Sequence, residues 1–246
     1  MADTSCVVCR KQGTDAIPLK RCAKCRTQSY CSRDCKKADW KAHKQTCAKN
    51  ASETSAQITK TNKDSTSTAN TASLPKNLSR AVDKPFHRLG SRTWLHDRPV
   101  KDVYQLLIDV YRMRMEDNYK FDRDCDLDSI YGGCADSRKG FRRFLRRTEK
   151  AQGVLPSWWN KESAIECENA GMSGGWSSLA SMVEKGDIIE HYGDARMPMQ
   201  LRMLGEQIYG RGPGGHNGAE MLEIMKSTEN GELTSIMLGS GLFGHF

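Results

Sequence analysis

Eight Cys and His side chains crowded into residues 6–47, a Ser/Thr-rich stretch behind them, and helical apolar repeats further on predict the fold class. It is a small metal-stabilised finger, irregular with short helices, followed by a flexible linker and a mainly α C-terminal domain. The expected boundaries are 1–48 for the finger, 49–84 for the linker and 85–246 for the α domain.

The finger comes first. Seven of the ten cysteines, Cys6, Cys9, Cys22, Cys25, Cys31, Cys35 and Cys47, fall in this segment with His43. Each Cys-x-x-Cys pair sits on a tight turn that places two sulfurs on one metal, about 2.3 Å from zinc. Cys31 and Cys35 are four apart, as are His43 and Cys47, so each pair shares one face of a helix. Four such clips make two tetrahedral sites and predict two structural Zn²⁺ ions. Spacing alone does not say which clip joins which. A full set of protein ligands leaves no place for a reactive water, so metal catalysis is not expected.

Charge follows the same division. Residues 1–49 carry 12 Lys and Arg against 4 Asp and Glu, and residues 50–246 carry 26 of each. The whole excess of +8 therefore lies on the finger. A basic surface suits nucleic acid or an acidic partner. Zinc-bound cysteines are thiolates, however, and seven thiolates with two Zn²⁺ lower the finger's balance to +5. Much of the Lys and Arg then offsets the ligands.

Residues 49–80 contain Ser, Thr, Asn, Lys and Ala but no aromatic residue, and almost no large aliphatic one before Leu74 and Leu78. Such a segment buries too little surface to offset its ordering entropy. Beyond it, Val103, Leu106, Leu107, Val110 and Tyr111 repeat at helical spacing after Asp97 and Pro99. Residues 139–150 form a basic helical pattern around Phe141, Phe144 and Leu145. Asn160 caps a helix through Ile165, with Gly171 read as its stop. Residues 177–190, 197–209 and Ala219–Lys226 complete the helical set, with Gly210 ending the second.

Several weaker signals are set aside. Asp122, Asp124, Asp126 and Asp128 alternate as in a calcium loop, but Leu127 and Gly133 occupy the positions of its Gly and Glu. They are read as a solvated acidic turn facing the basic helix. The string Gly210, Gly212, Gly215 lacks a preceding strand, so no dinucleotide site is indicated. The Arg and Lys run over 138–150 is read mainly as a charged outer face. Cys125, Cys134 and Cys167 are expected to be buried structural thiols, and Trp158 and Trp159 a packing anchor. No secretory signal and no membrane span are seen, so an intracellular protein of nucleus or cytoplasm is expected.

The order Cys-x2-Cys, Cys-x2-Cys, Cys-x3-Cys, His-x3-Cys resembles the MYND-type zinc finger. Tyr30-Cys31-Ser32 and the run from Cys35 through Asp39, Trp40 and His43 to Lys44 agree with that family between the ligands. The resemblance implies a cross-braced pairing. Cys6, Cys9, Cys31 and Cys35 would hold one zinc, and Cys22, Cys25, His43 and Cys47 the other. It also implies a protein partner, often a proline-containing peptide, in transcriptional or related assemblies. Trp40 matches the aromatic position of the family's peptide groove. Arg33 and Lys36 stand where peptide-binding members carry Ser and Gln, which would favour acidic flanks on the peptide.

Residues 85–246 look similar to the tails of uncharacterised fungal proteins that carry this finger. The expected function is thus a non-enzymatic zinc-binding adaptor for protein–protein interaction. The alternatives are a DNA-contacting transcription regulator and a SET-type lysine methyltransferase. The last is disfavoured by the short segment before Cys6 and by the lack of an Asn-His-Ser-Cys run.

Overall fold

The computed structural model describes residues 5–14, 19–22, 27–32, 34–36, 38–40, 42–43, 46–47 and 75–232. In the finger, β1 (Lys20–Arg21) pairs antiparallel with β2 (Ser29–Tyr30), Arg21 opposite Ser29. Residues 34–36, 38–40, 42–43 and 46–47 are helical. The mixture of short strands, turns and helical pieces is what a ligand-driven fold produces. Among the described residues of the finger no element is long enough to be stable by itself.

The linker expected over 49–84 lies outside the described residues as far as residue 74. Residues 75–84 are held to the helical body by a few anchors, although most of their side chains are exposed. Leu78 is buried in the core. The Ser79 and Arg80 backbone N–H groups donate to Asp102 at 2.8 and 3.1 Å, and the Lys76 N–H donates to the Tyr192 carbonyl at 2.7 Å. Averaged composition misses such a segment because a few anchors suffice to order it.

The body over residues 75–232 is helical. Its helices are α1 (Pro85–Gly90), α2 (Val100–Asp117), α3 (Arg138–Lys150), α4 (Lys161–Met172), α5 (Lys185–Tyr192), α6 (Met197–Tyr209) and α7 (Ala219–Glu229). Helix α2 is the axis, buried on nearly every side and packed on α3, α4 and α6. It starts directly after Pro99, whose fixed φ suits a helix start, and runs on into a π turn at Asn118–Asp122. Among the described residues no helix is long and apolar enough to cross a membrane.

The core joins Trp94, fully buried, to Phe86, Leu106, Leu107, Ile108 and Leu204. The Trp94 indole N–H donates to Gln200 Oε1 at 3.1 Å, so its polar edge is satisfied. Tyr111, Phe141 and Phe144 cluster with ring centroids 5.4–5.8 Å apart. Helix α3 thereby turns its apolar stripe inward. Tyr104 meets Trp158 and Trp159 edge-on, at 6.3 and 5.9 Å.

Three expectations need correction. Gly171 lies inside α4 and is no stop. A Cβ there would meet Leu179 Cδ1 at 2.7 Å, so the glycine permits a close approach. The helix expected over 177–190 begins only at Lys185. Leu179 and Val183 are buried in irregular chain, where apolar spacing imitates a helix. Cys125 and Cys134 are half-buried, and only Cys167 of the three is fully buried. Helix α7 also runs to Glu229, whose carboxylate accepts the Phe86 and His87 N–H groups at 2.9 and 3.1 Å and so closes the start of α1.

Candidate metal centres

The cross-brace is built by short backbone contacts. The first Cys-x-x-Cys turn closes through Arg10 N–H to the Cys6 carbonyl at 2.9 Å, with Arg10 at φ 60°. The Val7 N–H then donates to the Ser29 carbonyl at 3.0 Å, which lays the first turn beside β2 just before Cys31. Ser32 Oγ accepts the Cys35 N–H at 3.2 Å, the usual serine cap of a helix start. Cys35 is thereby presented toward the first turn. The Cys22 N–H donates to the Gln28 carbonyl at 2.9 Å and fixes Cys22 at the β1–β2 end.

Two ligand groups result. In the first, the sulfurs of Cys6, Cys9, Cys31 and Cys35 all lie within 4.8 Å of one another. In the second, one ligand atom each of Cys22, His43 and Cys47 do the same. Cys25 lies outside the described residues. Sulfurs at about 2.3 Å from a tetrahedral zinc stand about 3.8 Å apart. The Cys31–Cys35 and Cys22–Cys47 separations, 3.7 and 3.8 Å, match that edge, and Cys9–Cys31 is tighter at 3.2 Å. The donor set fits zinc. The first group has the four members the resemblance implied, and the second has three of its four.

The electrostatics also call for a cation. Burial pushes the Cys6 thiol up, but the backbone N–H groups of Cys9, Cys31 and Val8 outweigh it and bring it down to about 6. Burial, then the neighbouring thiols of Cys9, Cys35 and Cys6, push Cys31 up to about 12. Four thiols at such spacing cannot all ionise side by side, and a dication removes the conflict.

The residues expected to bind a peptide divide. Trp40 is half-buried and its ring sits 6.2 Å from that of His43, tilted by 57°. It therefore packs on a ligand of the second group and stays partly exposed. The Tyr30 ring also lies 6.2 Å from that of His43, and its hydroxyl donates to Asp39 at 2.8 Å. Arg33 lies outside the described residues. Lys36 is corrected: its side chain is buried, 3.4 Å from Asp187 and 3.6 Å from Glu184. Burial works against its charge, but Asp187, Glu184 and Cys22 together more than restore it. The acidic group facing Lys36 is supplied by this chain. Glu184 and Asp187 were missed because that stretch read as mid-helix. The Glu-x-x-Asp capping box was the available signal.

Three arginines of the basic run of α3 are paired with carboxylates, while Lys139, Arg146, Arg147 and Lys150 are exposed. Arg143 pairs with Asp126 and Asp128, so the acidic turn does face the basic helix. Arg138 and Arg142 converge on Glu168 at 2.5 and 2.6 Å.

Comparison with known proteins now adds a name for the first part. A family model described as the MYND finger matches residues 6–47. Residues 6–47 are a MYND finger. SET domain-containing protein 14 of Caenorhabditis elegans is 46% identical to this chain over 39 residues, 16% of this chain and 9% of that protein. The chain thus spans under a tenth of that relative's length. No solved structure matches. The MYND-finger match stops at Cys47, and nothing in these matches bears on the likeness of residues 85–246 to fungal proteins.

Proposed function

We propose that this chain is a zinc-dependent, non-enzymatic adaptor whose MYND finger contacts a partner protein in a regulatory assembly, transcriptional or other. The observation that carries this reading is the pair of ligand groups inside the finger, the first of which is filled by four protein sulfurs. Such ions hold shape and leave no site for substrate. The half-exposed face of Trp40 suits a proline ring.

Two observations weigh against DNA contact as the main role. Arg138, Arg142 and Arg143 are engaged by carboxylates, and Lys36 is turned inward. The SET-named relative brings methyl transfer into view, but its match covers only 39 residues.

The test is affinity capture with the zinc-loaded full chain against Cys31→Ala. Partners that need the folded finger should be lost with the variant. Capture should survive a rise in salt, whereas DNA binding would fall steeply. Partners retained equally by both chains would end this reading.

A further inference from the structure

Lysine is among the residues least often buried, and it loses its water only when paired. Lys36 is 5% exposed. Its ammonium lies against Glu184 and Asp187 of the helical body. Close by, Arg21 of β1 joins Ser181 in a parallel backbone bridge. Both contacts fall on residues 181–187, the approach to α5 and its first turn.

Glu184 and Asp187 are the two halves of the α5 capping box, and the Glu184 N–H donates to Asp187 Oδ2 at 2.9 Å. Backbone donors at the helix start already serve these carboxylates. A buried lysine is not needed to form the helix, so its presence marks recognition between finger and body. The far end of α5 is fixed separately. The Tyr192 hydroxyl donates to the buried Asp109 at 2.6 Å, and Arg112 of α2 holds both Asp109, at 2.9 Å, and the Ser181 carbonyl, at 3.3 Å. The acidic helix start is therefore held out on a rigid element. Net charge runs the same way, with the finger basic and the remainder balanced.

We propose that the Lys36 face of the finger is a receptor for a helix that opens with two carboxylates three residues apart, and that its resident occupant is the chain's own Glu184–Asp187 cap. The proposal rests on the protein-interaction reading above and supplies the chemistry of the partner. An outside helix of this kind competes with α5, which is tethered at an effective concentration on the order of millimolar. The finger accepts it only as its Lys36 face parts from the start of α5.

The experiment uses the zinc-loaded full chain and hydrogen exchange read by mass spectrometry. Lys36→Gln should raise exchange about tenfold or more at residues 27–36 and 181–192, with both zinc equivalents retained. Unchanged exchange in that variant overturns the proposal. A second arm titrates a labelled peptide of residues 181–194 into three chains. The vacated variant, Glu184→Gln with Asp187→Asn, should bind it about tenfold tighter than wild type, and Lys36→Gln should not bind it. Loosening of α5 in the vacated variant also frees the finger, so the result reads the same way. Equal binding by all three chains, or none by the vacated one, overturns the proposal. Failure of the Cys31→Ala capture test would sink the adaptor reading and leave the exchange result standing. Unchanged exchange would do the reverse.

Discussion

The finger and the helical body reach a defined shape by different physics. Among the described residues, the finger's buried cluster is Cys22, Tyr30 and Cys47, so two of its three members are metal ligands. The body buries Trp94, Phe86, Phe141, Phe144 and the aliphatic face of α2. Some forty residues cannot bury enough apolar surface to fold alone, whereas the body can. In the finger, ligand spacing decides the fold; in the body, apolar area does. That contrast can be attacked from either side.

Removing the metal should have the largest effect. Structural zinc contributes apparent binding free energies of about 10–16 kcal/mol in finger peptides, and that energy is folding energy. A strong chelator should therefore abolish protection from proteolysis over residues 6–47. The far-ultraviolet helical signal should fall only by the finger's share, because α1–α7 need no metal. Loss of the entire helical signal would show that the body depends on the finger for its fold, and the contrast would fail.

Trp94→Ala attacks the other side. It empties a fully buried site and strands Gln200 Oε1, and such truncations cost about 3–5 kcal/mol. Urea unfolding followed through the helical signal should shift by that amount. Zinc content at low denaturant should stay at two equivalents per chain. A variant that loses zinc in step with helix would mean one cooperative unit.

How much was readable in advance follows the same line. The finger's clips were legible because their determinants are short-range: a Cys-x-x-Cys turn or a Cys-x3-Cys pair chooses its geometry within four residues, whereas which clips join came only from the family resemblance. Helix α4 was legible at its start, since Asn160 accepts the Ser163 N–H at 2.8 Å, a local bond. Gly171 was misread because its reason lies with Leu179, eight residues on and outside the helix. Leu78 and Ser79 were lost in the linker because their partners are in the core and at Asp102, more than twenty residues away. Lys36 was assigned to an outside peptide because Asp187 is 151 positions distant. Local chemistry carries across such gaps only when a motif marks both ends, and here only the capping box marked one.

A smaller effect sharpens the reading of α4. Gly171→Ala should cost about 1–3 kcal/mol by overpacking, because the added methyl meets Leu179 Cδ1 and Cγ at 2.7 and 2.8 Å. A helix-stop glycine in the left-handed region would also resist alanine, so it is the coupling to Leu179 that separates the two readings. Gly171→Ala combined with Leu179→Ala should recover part of the packing strain, which a double-mutant cycle in urea would detect.

The smallest expected effect concerns acid stability of the body. Arg142 hydrogen bonds hold the Glu168 carboxyl down from 4.5 to about 2; burial works against this, and Arg138 adds to it. A depressed carboxylate contributes stability above its unfolded pKa and loses it as pH falls toward its folded value. The contribution should therefore be present above about 4.5 and vanish by about 2. Glu168→Gln removes the titration, so urea midpoints of wild type and variant should differ at neutral pH and converge on acidification. The arginine ends are exposed, so water and salt screen the pair, and the neutral-pH difference should shrink in high salt. The readout must follow helix and not zinc, since thiolate ligands also take up protons in this range. Parallel pH curves for the two chains would mean that the α3–α4 clasp is an ornament of the surface and that the apolar core alone sets the stability of the body.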